Sequence, residues 1–227
     1  DISILDNGSF SFVSFFLPAL AMFIAMFFYY GVLYGTVLNY IKLYIDHQGT
    51  VDQDELKTHV RADLGSLTGL TFLIVIMISF GMMLCFLPGV YVAVPLSLTW
   101  AILVFENKAV GDSISDSFKL IKNEWWITFA TMFVLGLLLY IANIVFSLPV
   151  IIYSVAKGFL SAETISQGDM SSMFDWVYVS LSVLSSAVQY ILAGIFAVAV
   201  AFIYYNLNEK KNQTGTFEAI ESIGSDH

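Results

Sequence analysis

Few side chains in this sequence could do chemistry, and none sits in a pattern that names a reaction. Glu106 closes the apolar run TWAILVFE and is the carboxylate nearest the middle of any such run. A proton- or ion-coupled carrier needs an ionisable group within its spans. Glu106 comes closest to that, set against its plain reading as a stop residue paired with Lys108 or with water. Asn143 is the strongly polar side chain of LLLYIANIVFSL, where an amide either hydrogen-bonds a neighbouring helix or lines a substrate path. Ser182, Ser186 and Gln189 follow at spacings of four and three, with Ser185 beside them, so they share one helical face. These residues are the candidates for a ligand- or partner-lining stripe; serine-mediated close packing is the competing account.

The other reactive side chains point to no site. Asp52/Asp54 and Asp112/Asp116 lie on polar helix faces and read as solvation, not as an acid–base pair. His47 and His59 lack the convergent spacing of a metal site such as HExxH. Cys85 is the single cysteine, so neither a disulfide nor a thiolate metal site can be built. No GxSxG, P-loop or EF-hand pattern occurs. The expectation is no catalytic residue, no metal and no cofactor, in a protein that is not an enzyme.

The elements that must position these residues are membrane spans. Of the residues, 58% are hydrophobic and 12% charged, where a soluble domain has about 45–50% and about 25%. Twenty Phe and twelve Tyr suit lipid-facing surfaces and interfacial belts. A net charge of −9 excludes a nucleic-acid footprint and a polybasic lipid-binding patch. The fold class expected is all-α, a polytopic transmembrane helical bundle with five spans at about 10–45, 67–87, 90–105, 125–148 and 176–206. Residues 46–66, 106–124 and 207–227 then lie on the cytoplasmic side, and 149–175 form an outer loop. The opening DISILDNGS is acidic and lacks an initiator Met, and five spans are an odd number. A sixth span before Asp1 is therefore expected in the full protein.

Topology turns on Pro88 and Gly89, which reverse the chain between the second and third spans. A hairpin there puts every Lys and Arg except Lys157 on one side, which the positive-inside rule makes cytoplasmic. Pro95 is expected to kink the third span, and Pro149 to close the fourth. Leu56, Val60, Leu64 and Leu67 form the stripe of a short surface helix leading into the second span. Val110, Ile114, Phe118, Ile121 and Trp125 form a second stripe, for a helix against lipid or under the bundle, with Trp125 and Trp126 anchoring its end at headgroup level. Phe217, Ile220 and Ile223 give the tail an amphipathic turn that docks on the bundle or on a partner. Gly31/Gly35 and Ala193/Ala197/Ala201 are small-residue faces through which a membrane-protein partner or a second copy could pack; Gly65/Gly69 repeats the spacing.

LPGVYVAV, a span ending Phe105-Glu106, and then SISDSFKLIKNEWW resemble the glycerophosphodiester phosphodiesterase membrane-domain superfamily, as does the closing YYNLNEKKNQTGTFEAIESIG. Pro88, Gly89, Ser117, Trp125 and Trp126 match its pattern; Asp116 stands where relatives often have arginine. The resemblance covers roughly residues 65–224. It implies a six-helix bacterial inner-membrane protein and, without the soluble domain, no phosphodiesterase activity. The function expected is a non-enzymatic scaffold or accessory subunit whose partners are the lipid bilayer and a membrane protein. The alternative is a transporter or lipid-handling protein with a cavity between the fourth and fifth spans.

Overall fold

A computed structural model describes residues 12–160 and 174–212. The expected docking of Phe217, Ile220 and Ile223 falls outside the described residues. Helices α1 (Phe12–Asp46), α2 (Gln53–Leu84), α3 (Phe86–Leu96), α4 (Thr99–Glu106), α5 (Val110–Ile121), α6 (Trp125–Leu160) and α7 (Trp176–Asn212) make up the described chain. No strand occurs among the described residues. Among the described residues five helical stretches are long and apolar enough to cross a membrane, with α3 and α4 together forming one of them, Phe86–Glu106.

Local chemistry sets the ends of these helices. Asp52 caps α2, its carboxylate accepting the Asp54 N–H at 3.1 Å, and Asp54 and Glu55 fill the first turn, where the helix dipole favours acids. The surface helix and second span expected separately are one 32-residue helix. Nothing between Gln53 and Leu84 breaks the backbone ladder, and the apolar stripe runs on without a phase change.

The break that ends α2 lies at Cys85, whose backbone is extended at φ −171°, ψ 153°. This corrects the placing of the turn at Pro88-Gly89. Both residues sit in the opening turns of α3. The first N–H groups of a helix have no intrahelical acceptor, so the N–H that Pro88 lacks costs little there. Gly89 serves a different need: a Cβ built on Gly81 would lie 2.9 Å from the Gly89 Cα, so α2 and α3 pack backbone to backbone at the head of the hairpin.

The return span is the centre of the molecule. Val94, Pro95, Leu96, Leu98, Thr99 and the run Ala101 to Val104 are all buried. It is divided by a turn at Ser97-Leu98, two residues after Pro95, which has no N–H for the ladder. Around it, α1 lies on α2 through Gly31 and Gly35. A Cβ on Gly31 would meet Thr68 Oγ1 at 2.6 Å, and one on Gly35 would meet Leu67 Cδ1 at 3.0 Å. Tyr34 of α1 stacks on Trp100 of α4 with ring centres 4.4 Å apart, and Trp100 Nε1 donates to Thr71 Oγ1 of α2 at 3.1 Å.

Helix α7 buries Ala197, Val200, Ala201, Tyr204 and Leu207 in its inner half. The small-residue faces Gly31/Gly35 and Ala197/Ala201 are thus used inside the chain, with Ala193 half-buried beside them. Gly65 and Gly69 differ: among the described residues an added Cβ would meet nothing within 4 Å at either position.

Helix α6 does not stop at Pro149 but continues to Leu160. A proline inside a membrane helix is tolerated where neighbours or local adjustment satisfy the freed carbonyl. The expected loop 149–175 therefore begins with three further helical turns. Asp175 joins the far ends of α6 and α7. It accepts the Tyr178 N–H at 3.0 Å as the cap of α7, pairs with Lys157 at 2.9 Å and takes the Tyr153 hydroxyl. The Tyr153 hydroxyl, the Tyr178 N–H and Lys157 together hold the Asp175 carboxyl down to about 2.

Candidate functional site

The densest polar cluster lies where α4, α5 and α7 converge, and its centre is Lys108. Asn107 ends α4 in the left-handed region at φ 50°, ψ 41°, a conformation that asparagine adopts more readily than most residues. The turn it makes sets Lys108 between two carboxylates: the Lys108 ammonium pairs with Glu106 Oε2 and, at 2.7 Å, with Asp116 Oδ2 of α5. Lys119 reaches the other oxygen of Asp116 at 2.8 Å. Tyr204 of α7 donates its hydroxyl to Glu106 Oε1 at 2.8 Å. From α1, Lys42 donates to the Val104 carbonyl at 2.7 Å and to Asn107 Oδ1 at 2.8 Å, satisfying acceptors that the end of α4 leaves open. Lys210 pairs with Glu124 at 3.2 Å, and Lys211 donates to the Lys119 carbonyl at 3.3 Å.

The electrostatics follow from these contacts. Hydrogen bonds from Lys108 and then Lys119 hold the Asp116 carboxyl down to about 2. Asp116 and then Glu106 hold the Lys108 ammonium above its ordinary value. A lysine so held is a poor base and a poor nucleophile near neutral pH. The hollow beside it, of about 180 Å³, is lined by Glu106, Lys108, Asp116, Lys119, Asn208 and Lys211. That is below the roughly 300–1,000 Å³ of small-molecule sites. The arrangement suits joining helices better than turning over a substrate.

Helix α5 is seated beneath the return span by its serines. Ser113 and Ser117 are fully buried, their hydroxyls bonded to the Ala109 and Ile114 carbonyls at 2.9 and 2.7 Å. Ile121 continues this face, and Val110, Ile114 and Phe118 pack partly buried against the core. The amphipathic face of α5 therefore contacts protein. Small hydroxyl side chains that satisfy themselves on their own helix permit close approach without stranding a polar group.

A second polar place lies at the start of α6. Trp125 donates Nε1 to the Tyr91 carbonyl of α3 at 3.1 Å, and its ring stacks on Tyr91 and Phe129 with centres 5.3 and 5.2 Å away. Trp126 is 76% exposed. Leu87, Pro88, Tyr91, Lys122, Asn123 and both tryptophans line one hollow of about 650 Å³. The sequence reading puts Pro88 and the tryptophans at opposite membrane faces, whereas the structure sets them against each other. The cause is that α3 meets the first two turns of α6, through Tyr91 to Trp125 and through Ser97 to Met132.

The polar stripe of the last span is not gathered. Asn143 and Ser182 are half-buried, while Ser186 and Gln189 are exposed. Ser185, not Ser186, meets α6, its hydroxyl 3.3 Å from that of Ser147, and Ser186 bonds back to the Ser182 carbonyl at 2.8 Å. Of the hollows described here, none contains Asn143, Ser182, Ser186 or Gln189. Glu106 is thus the one sequence candidate that the fold builds into a cluster.

Sequence reasoning missed Tyr204, Asp175 and the double role of Asp116. Asp116 and Lys119, three apart on a helix, give a local signal. The approach of Tyr204 to Glu106 spans 98 residues and gives none.

Among the described residues no group of three or more His, Cys, Asp or Glu could hold a metal ion. Residues 13–167 match the family described as "Uncharacterised protein family (UPF0259)", and not the phosphodiesterase membrane-domain superfamily that the sequence resembles. No curated protein and no solved structure matches the chain.

Proposed function

We propose that this chain, which belongs to the uncharacterised protein family UPF0259, is a non-enzymatic helical-bundle scaffold or accessory subunit of a bacterial inner membrane. The observation that carries this reading is where the charges go. Glu106, Lys108, Asp116 and Lys119 neutralise one another across α4 and α5, and Lys42, Tyr204 and Lys210 tie α1 and α7 to the same end. Pairs that link one helix to the next in this way hold the two in register. Side chains committed in this way are spent on architecture. The transporter or lipid-handling alternative has less support, because Ser186 and Gln189 face outward.

A scaffold needs a face that its own chain leaves open. Gly31/Gly35 is closed by α2, whereas no described residue covers Gly65/Gly69. The test is photo-crosslinking in membranes of the full chain, with the crosslinker at position 69 and, as a control, at position 31. The expected result is a discrete second polypeptide from position 69 and only intramolecular product from position 31. A chain that crosslinks to nothing from position 69 and purifies from mild detergent as a lone monomer would overturn the reading.

A further inference from the structure

We infer that the hollow between the head of the α2–α3 hairpin and the start of α6 is a binding site for one anionic phospholipid, with the phosphate on Lys122 and Asn123 and an acyl chain along Leu87 and Tyr91.

The first observation is a cation left over. On the adjoining turns Lys119 is paired with Asp116 and Glu124 with Lys210 of α7. Lys122, between them in the chain, is exposed and makes no ion pair or hydrogen bond among the described residues. In a chain with a net charge of −9, a lysine left without a carboxylate is a place where an outside anion is welcome. The Asn123 amide beside it is likewise exposed, and both line the hollow.

The second observation is the rest of the lining. The hollow measures about 650 Å³, within the size range of small-ligand sites. Beside Lys122 and Asn123 it is lined by apolar and aromatic residues, of which Leu87 is 73% exposed, Tyr91 57% and Trp126 76%. Trp125 is locked by its bond to the Tyr91 carbonyl, so the aromatic wall is held in place before any ligand arrives. A cation and an amide in one hollow with aromatics and aliphatics match a molecule with an anionic head and a hydrocarbon tail. Tryptophan rings favour the headgroup level, which sets the depth at which such a molecule would enter. A soluble anion would use the cation and leave the apolar wall wet; a membrane lipid uses both.

The full chain in mild detergent, titrated with phosphatidylglycerol or phosphatidylcholine and read by native mass spectrometry, tests the site. One lysine near a lipid surface supplies roughly a five-fold preference for an anionic head. The wild type is expected to show that preference for the first bound lipid, and Lys122→Gln to lose it while still binding phosphatidylcholine. Lys57→Gln, which removes a lysine paired with Asp54 elsewhere on the surface, is expected to keep it. Equal binding of the two lipids by the wild type would overturn the site, as would a preference that survives Lys122→Gln or disappears equally in Lys57→Gln. If a preference appears only when the chain ends at Asn212, the acidic tail is the occupant and the lipid proposal fails. None of these outcomes depends on whether the chain serves as a scaffold.

Discussion

Gly81 and Gly89 touch through bare backbone: the position of a Cβ on Gly81 lies 2.9 Å from the Gly89 Cα, and that of a Cβ on Gly89 lies 2.9 Å from the Met82 nitrogen. At Gly89 the Met82 side chain also comes within 2.6 Å and can swing aside, but the two backbone atoms cannot. Gly81→Ala should therefore force the α2–α3 hairpin apart, costing about 1–3 kcal/mol as overpacking does. Cys85→Ala, at the exposed break itself, should change little. Unfolding midpoints in mixed detergent would compare the two, and a Gly81→Ala protein as stable as the wild type would contradict the close approach.

Two glycine pairs of the same spacing should respond with opposite signs. Gly31→Leu drives a side chain into Thr68 and should destabilise the α1–α2 contact by about 1–3 kcal/mol. Gly65→Ala adds a methyl where no described residue lies within 4 Å. It should be neutral or stabilising by up to about 1 kcal/mol, the difference in helix propensity. The same unfolding assay checks both.

Acid should open the Lys108 cluster in a defined window. The Asp116 carboxyl, held down to about 2 in the folded chain, returns to about 3.9 on unfolding. A lowered folded value means that the unfolded chain takes up the proton first. The stability that Asp116 contributes is thus fully present above about pH 4 and fades as the pH falls toward about 2. Asp175 is held down to about 2 as well and fades over the same range. Asp116→Asn should flatten the acid limb of a melting-temperature profile in part, and a double variant with Asp175→Asn further. An unchanged limb in the double variant would show that neither carboxylate is held low.

The serine face of α5 gives a contrast within one helix. Ser117 is buried against the bundle and Ser115 is exposed. Ser117→Leu should lift α5 from the return span at a cost of about 1–3 kcal/mol and speed protease cleavage around residues 107–123. Ser115→Leu should leave the cleavage rate near that of the wild type.

What the sequence disclosed depended on the range of the signal. Apolar runs and helical periodicity are local, and the all-α fold with long apolar helices was legible from them. So was the amphipathic character of α5, because Val110, Ile114 and Phe118 announce it at regular spacing. Which face of each helix meets protein was not legible. Surrounded by lipid, apolar side chains mark inward and outward faces alike, so Gly31/Gly35 looked as free as Gly65/Gly69. Pro88-Gly89 misled for a related reason. Proline and glycine mark turns in loops, but here proline opens a helix and glycine clears room for another. Glu106 was singled out as the carboxylate nearest a span, whereas its partners Asp116 and Tyr204 required the tertiary fold.

The bond between Tyr204 and Glu106 also orders events during synthesis. The two residues are 98 positions apart, so at about 5–20 residues per second the ribosome needs roughly 5–20 s to deliver the hydroxyl after the carboxylate. Through that interval the most enclosed helix of the finished protein waits in the bilayer without the last helix that covers it. Lys108, two residues on, leaves the ribosome almost together with Glu106 and can neutralise it at once. The local ion pair is thus an early guard, kept in the finished fold, for a carboxylate whose final neighbour arrives last.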